Sequence, residues 1–276
     1  MSQEEYFKFV QGLASDLNGD NVKLPSFPEV VIRLREQLDD PDTTSMDIEN
    51  TLSMDPVLAS RMLKLANSAY HNAAGIKVES LHAAVSRIGF EPVRTAATQY
   101  ALEQLHASKD LAPFEKELRT AWSSGLNLAA LSESIAKECT KLDPDGAFIA
   151  GLLNQIGVLY ILSKHKEYPA LLDDVEARQN LINDWVAPIG ESVVANWGFS
   201  EAIQKSVNPG DKEERRGRGE PDLVDVIVTA KRSLDPEDSD WQESIEAQRL
   251  QLTAENMGTV IEKYETRMES LSASIR

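Results

Sequence analysis

Sixteen residues from Ala147 to Leu162, AFIAGLLNQIGVLYIL, are apolar almost all the way round a helical wheel, with only Asn154 and Gln155 interrupting them. A helix apolar on every side cannot lie on a surface, so this run belongs in the middle of a globule that the rest of the chain must wrap. It is shorter than the roughly 20 apolar residues that cross a bilayer. Asp143 followed by Pro144 predicts its start, because an aspartate accepts the unpaired amides of a first turn and proline has no amide to leave unpaired there. Two amides inside so buried a helix need partners, which makes Asn154 and Gln155 the first residues to follow.

The spacing on either side is helical as well. Tyr6, Val10, Leu13 and Leu17 form one stripe; Val30, Val31, Leu34 and Leu38 form a second, with Ser26 as cap and Pro28 in the first turn. Thr44 or Ser45 caps a third helix through Ile48 and Leu52, and Asp55-Pro56 starts a fourth that ends at Asn67. Ser80 opens a helix that Gly89 closes, and Pro92 opens the next. From Phe114 to Ile135 runs a long stripe; Ile182, Trp185, Ile189 and Val193 continue the period, and Ser200 caps a short helix beyond. The last buried helix runs from Leu223 to Leu234, and Met257, Val260, Ile261, Tyr264, Met268 and Leu271 make a charged amphipathic helix at the end. No stretch alternates with period two, so the fold class is all-α.

Charge narrows the partners. With 28 basic and 45 acidic residues, a formal charge of −17 and a pI near 4.7 argue against nucleic acid and anionic membranes. A single cysteine, Cys139, excludes an internal disulfide and fits a reducing compartment. The start MSQEEYFKFV lacks a signal peptide's basic and apolar regions, so a cytoplasmic location is expected. Residues 208–221, NPGDKEERRGRGEP, read as a loop whose Arg215, Arg216 and Arg218 stand among acids.

Recognisable catalytic equipment is missing. His71, His82, His106 and His165 are not at metal-ligand spacing, and there is no HExxH, GxSxG, phosphate loop or dinucleotide-binding glycine turn. Ser123 and Ser124, just before Gly125, read as small residues at a helix contact. Glu29, Asp39, Asp40, Asp42, Asp55, Asp143 and Asp145 sit where helices start or stop, as capping requires. Asn67 reads as a helix end in the left-handed conformation, with a ligand contact as the alternative.

Four ordered blocks resemble the HDOD domain, the regulatory relative of HD-type metal phosphohydrolases. These are Leu24-Pro25 with Pro28-Glu29-Val30 and a downstream Asp40-Pro41; Asp55-Pro56-Val57-Leu58 leading through Arg61 to Leu65-Ala66-Asn67-Ser68-Ala69-Tyr70; Ser80 to Gly89; and Gly151 to Gly157. The resemblance implies an N-terminal helical subdomain over residues 1–110, an HD-like core over 111–235 and a helical extension over 236–276. It also implies where metal ligands would stand in the catalytic relatives. The His-Asp pair falls at Asn154 and Gln155, the upstream histidine at Ser124 and the final aspartate at Lys231. Neutral amides bring no charge to a divalent ion and an ammonium repels one, so the expectation is no metal and no cofactor.

The expected function is therefore a non-catalytic regulatory or signal-transduction module of bacteria, binding another signalling protein, with a cleft between subdomains able to hold a small molecule or peptide. Two alternatives stand beside it. One is a metal-dependent phosphohydrolase with ligands at unrecognised positions. The other is a nucleotide or cyclic-dinucleotide sensor, with Asn67, Arg215, Arg216, Arg218 or Lys231 as ligand contacts. The apolar stripe of the C-terminal helix further suggests self-association.

Overall fold

The structure is a computed structural model that describes residues 3–18, 29–106, 109–210 and 219–275. Every regular element in them is helical: α1 (Gln3–Asn18), α2 (Glu29–Asp39), α3 (Ser45–Leu52), α4 (Pro56–Ala66), α5 (Leu81–Ile88), α6 (Phe90–His106), α7 (Glu115–Cys139), α8 (Pro144–Leu153), α9 (Ile156–Ser163), α10 (Pro169–Asp173), α11 (Val175–Asn196), α12 (Glu201–Val207), α13 (Leu223–Ser233), α14 (Ile245–Arg249) and α15 (Ala254–Ile275), with short 3-10 turns between some. The fold is all-α, as the periodicity predicts. The expected Ser26 cap and the arginines at 215, 216 and 218 lie outside the described residues.

Helix starts follow the expected chemistry. Asp55 Oδ1 accepts the amides of Val57 and Leu58 at 2.9 and 3.0 Å, and Asp143 accepts those of Asp145 and Gly146 at 3.1 and 2.8 Å. Of the two candidate caps for α3 it is Thr44 that serves, in a reciprocal capping box with Asp47.

The chain packs as two compact units. One comprises Met1–Leu24 with His106–Tyr264, the other Pro25–Leu105 with Glu265–Arg276. This grouping places α1 with the larger unit rather than with the helices that follow it in sequence. There, the Tyr6 hydroxyl donates to Asp184 and accepts from the Trp185 indole N–H, both at 3.1 Å, while Phe9 meets Tyr168 edge to face.

The central apolar run is not the single helix expected. It breaks at Asn154-Gln155, where α8 ends and α9 begins. The cause is that its halves have different neighbours: α8 packs along α7, and α9 packs along α11. Glycines make both approaches possible. A Cβ on Gly151 would lie 2.6 Å from the Ala129 Cα and N, and one on Gly157 would lie 2.2 Å from the Val186 carbonyl oxygen. Taken with its flanks, the stretch Pro144–Lys166 does have a bilayer span's length and apolarity, beyond what sixteen residues suggest. Yet 83% of its most apolar window is buried inside the protein.

Part of the stripe on α15 is occupied within the chain, while Ile261 on the same helix is exposed. Val260 is fully buried against α7, α8 and α13 residues, with Met257 and Tyr264 beside it, and the Tyr264 hydroxyl donates to Asn127 Oδ1 at 2.5 Å.

In the smaller unit the signature around Asn67 is a clamp. The residue caps α4 with φ −96° and ψ 0°, so it is not left-handed as expected. Its amide nitrogen donates to the carbonyls of Leu63 and Val78 at 2.9 and 2.8 Å, and its Oδ1 accepts the Val78 amide at 2.8 Å. Arg87 supports the same loop through the carbonyls of Ala66 and Ile76. Asn67→Ala should cost about 3 kcal/mol in urea unfolding, from three lost bonds at roughly 1 kcal/mol each. Asn67→Asp should recover little, because a carboxylate would face two carbonyl oxygens without a hydrogen to offer. Near-native stability of the aspartate variant would show that the clamp is not made by donation.

Candidate functional site

The break between α8 and α9 presents Asn154, and α13 brings Lys231 to it. Asn154 ends α8 and is buried, while Lys231 stands in the last turn of α13, where carbonyl ends favour a cation. The Lys231 ammonium donates to Asn154 Oδ1 at 3.5 Å, a long contact. Part of the lysine side chain remains open to solvent, yet protein crowds the ammonium enough that desolvation lowers its pKa. Asn154 thus has a polar partner, as its burial demands.

The other two residues of the set differ in surroundings. Gln155 is half-buried and precedes α9 without its side chain capping that helix. Ser124 is exposed on α7, and so is Ser123. Neither serine fills the helix contact foreseen for it. That contact belongs to Gly125, buried where a Cβ would stand 3.4 Å from the Leu152 carbonyl oxygen. Asn67 lies in the other unit and spends both amide hydrogens on carbonyls of its own loop.

A metal ion is poorly matched by this set. Ser124, Asn154, Gln155 and Lys231 offer a hydroxyl, two neutral amides and an ammonium, whereas divalent ions of hydrolases are held by imidazole and carboxylate. Among the described residues no group of three or more His, Cys, Asp or Glu is arranged to hold a metal.

Two polar networks were not visible in the sequence. The first is in the smaller unit: the Tyr100 hydroxyl donates to Asp55 Oδ2 at 2.7 Å, Arg61 lies over the Tyr100 ring at 5.2 Å, and Arg61 pairs with Glu103. Burial first, then this hydrogen bond, pushes the Tyr100 pKa up to about 12. Burial acts to raise the Asp55 pKa, but the Leu58 and Val57 amides, the Tyr100 hydroxyl and Arg61 together outweigh it and hold the carboxyl below its ordinary range. Asp55-Pro56 signalled the cap but gave no hint of a tyrosine 45 residues away.

The second network is in the larger unit. Asp225, fully buried on α13, meets Arg249 of α14 at 3.2 Å, and its Oδ2 also accepts the Asp222 amide at 3.1 Å. Desolvation raises its pKa despite the arginine. The Asp222–Asp225 spacing announces a capping box, but it could not reveal that the second carboxylate points into the core.

The HDOD domain family matches residues 24–211. An uncharacterized protein of Treponema pallidum (strain Nichols) is 23% identical over 195 residues, covering 67% of this chain and 37% of that one, so the chain spans well under half of the curated relative it matches. A crystal structure from Shewanella amazonensis SB2B, provisionally named a metal-dependent phosphohydrolase, superposes with a TM-score of 0.77 at 24% identity, over 99% of this chain and 100% of that one. A protein of Marinobacter aquaeolei VT8, provisionally named for signal transduction, gives a TM-score of 0.60 at 17% identity, over 97% of this chain and 66% of that one. At these identities the structural likeness is one of fold. The family match, by contrast, covers most of the chain and contains all four sequence blocks, and on that evidence the chain belongs to the HDOD domain family.

Proposed function

We propose that the chain is a regulatory module that acts through contact with another signalling protein and hydrolyses nothing. The observation that carries this reading is the Lys231–Asn154 contact, which sets an ammonium against a neutral amide at positions where hydrolytic relatives would need anionic and imidazole ligands. A lysine there supplies its own positive charge to the break between α8 and α9 and opposes the approach of a divalent ion. The signal-transduction name carried by the Marinobacter protein of the same fold agrees with a regulatory role.

The test is direct. Purified protein incubated with Mn²⁺, Mg²⁺ or Ni²⁺ should turn over neither nucleotides nor cyclic dinucleotides, and Lys231→Ala should leave that result unchanged. Metal-dependent turnover that disappears in Asn154→Ala would overturn the reading. The same ligands should leave the melting temperature unmoved, whereas a true ligand at 100 times its Kd stabilises by about 2.7 kcal/mol.

A further inference from the structure

One face of the smaller unit exposes apolar side chains in an acidic setting. Met54 is 61% exposed, Met46 53%, Val57 52% and Ile32 44%. Met46 shares the outer side of α3 with exposed Asn50 and Ser53, and Met54 and Val57 continue it through the turn into α4. Ile32 on α2 precedes Arg33, whose Nη1 reaches the Met54 sulfur at 3.6 Å, and Thr51 ties α3 to α2 through Gln37 at 2.8 Å.

Two methionines at the centre matter because an unbranched thioether repacks against many shapes, so such a face adapts to a helix laid across it. Its surroundings set the charge of that helix. Glu36, Asp42 and Asp47 are exposed on α2 and α3 and the turn joining them, in a chain of net charge −17; Arg33 is basic at the patch itself, and exposed Lys64 lies two turns along α4 from Val57.

We propose that the α2–α3 face, centred on Met46 and Met54, docks an amphipathic helix of a partner protein, whose apolar side covers the methionines and whose flanking lysines or arginines meet the acidic rim. The proposal rests on the reading of the chain as a protein-binding module and names the surface and the partner's chemistry. Apolar anchors would give the affinity and the acidic rim the selection against neutral or acidic helices.

The probe is a fluorescein-labelled peptide of leucine and lysine at helical spacing, about 18 residues long so that it can be helical when bound. Its companion has glutamine for every lysine. Anisotropy with the full chain should show the lysine peptide binding, the glutamine peptide binding about tenfold more weakly, and the difference shrinking as salt rises. Met46→Lys with Met54→Lys should weaken binding about tenfold or more. Val175→Lys with Ile261→Lys, an equal change of charge elsewhere on the surface, should not. Circular dichroism melts of both variants check that each is folded.

Equal loss in the two double variants, or equal binding of the two peptides, would overturn the proposal. So would a dimer in sedimentation that Met54→Lys dissolves, since the face would then be filled by a second copy. The hydrolysis assay uses neither methionine, so metal-dependent turnover would sink the regulatory reading, whereas failed peptide binding without turnover would sink this surface alone.

Discussion

Gly157→Ala should destabilise the protein by about 3 kcal/mol or more, a large part of the 5–15 kcal/mol that holds a typical domain. The added methyl would stand 2.2 Å from the Val186 carbonyl oxygen and 2.9 Å from its carbon. The obstacle is backbone, so no side chain can rotate aside, and α9 must move away from α11. That separation would open the packing around Tyr160 and Ile161, both fully buried. Denaturant unfolding measures the loss. Gly258→Ala is the internal control, since it sits within α15 with nothing inside 4 Å of its Cβ position and should stabilise by about 0.5–1 kcal/mol. A cost below about 1 kcal/mol at Gly157 would mean that α9 and α11 part easily and that the tight approach is not what holds the break in place.

Removing Arg249 should cost a similar amount for a different reason. Asp225 has no exposed surface, and Arg249→Ala would leave its carboxylate buried without its cation, a change worth roughly 3–5 kcal/mol. Asp225→Asn combined with Arg249→Met should restore most of the loss, because a pair replaced by uncharged groups no longer strands a charge. The pH dependence has a definite sign. Desolvation raises the Asp225 pKa in the folded state, so its titration favours folding most below the unfolded value of 3.8, and that contribution fades as pH rises through the folded value. Without Arg249 the folded value rises further. The gap between Arg249→Ala and wild type should therefore narrow as pH falls through the variant's raised folded value, where protonation removes the stranded charge. The Asp222 amide that donates to this carboxylate opposes the rise, while the charges of Asp222 and Glu246 add to it. A gap independent of pH would place the cost in lost packing rather than in charge.

How far the chain could be read in advance follows from the range of the forces involved. Asp55, Ser80, Asp143 and Ser200 each accept amides two or three residues on, as their positions predicted, because a cap is made within one turn. The buried stripes were legible for the same reason: a helix repeats every 3.6 residues whatever it packs against. Asn67 shows where this stops. Its place at the end of α4 was plain, but its partner Val78 is eleven residues away across a loop, so the left-handed conformation was inferred where a clamp exists.

The central run divides in the same way. By itself the sequence determined that Ala147 to Leu162 is helical and interior, and that Asn154 and Gln155 need partners, since apolar surface on every side has no other stable place. Only the tertiary structure decided that the run breaks at those amides, because α8 follows α7 and α9 follows α11, and that Lys231, 77 residues on, meets Asn154. Helix formation is settled by groups within a turn of one another. Which two helix surfaces meet depends on shape and charge matched across the whole chain, and two glycines that admit a backbone without a Cβ in the way set the line along which this helix turns.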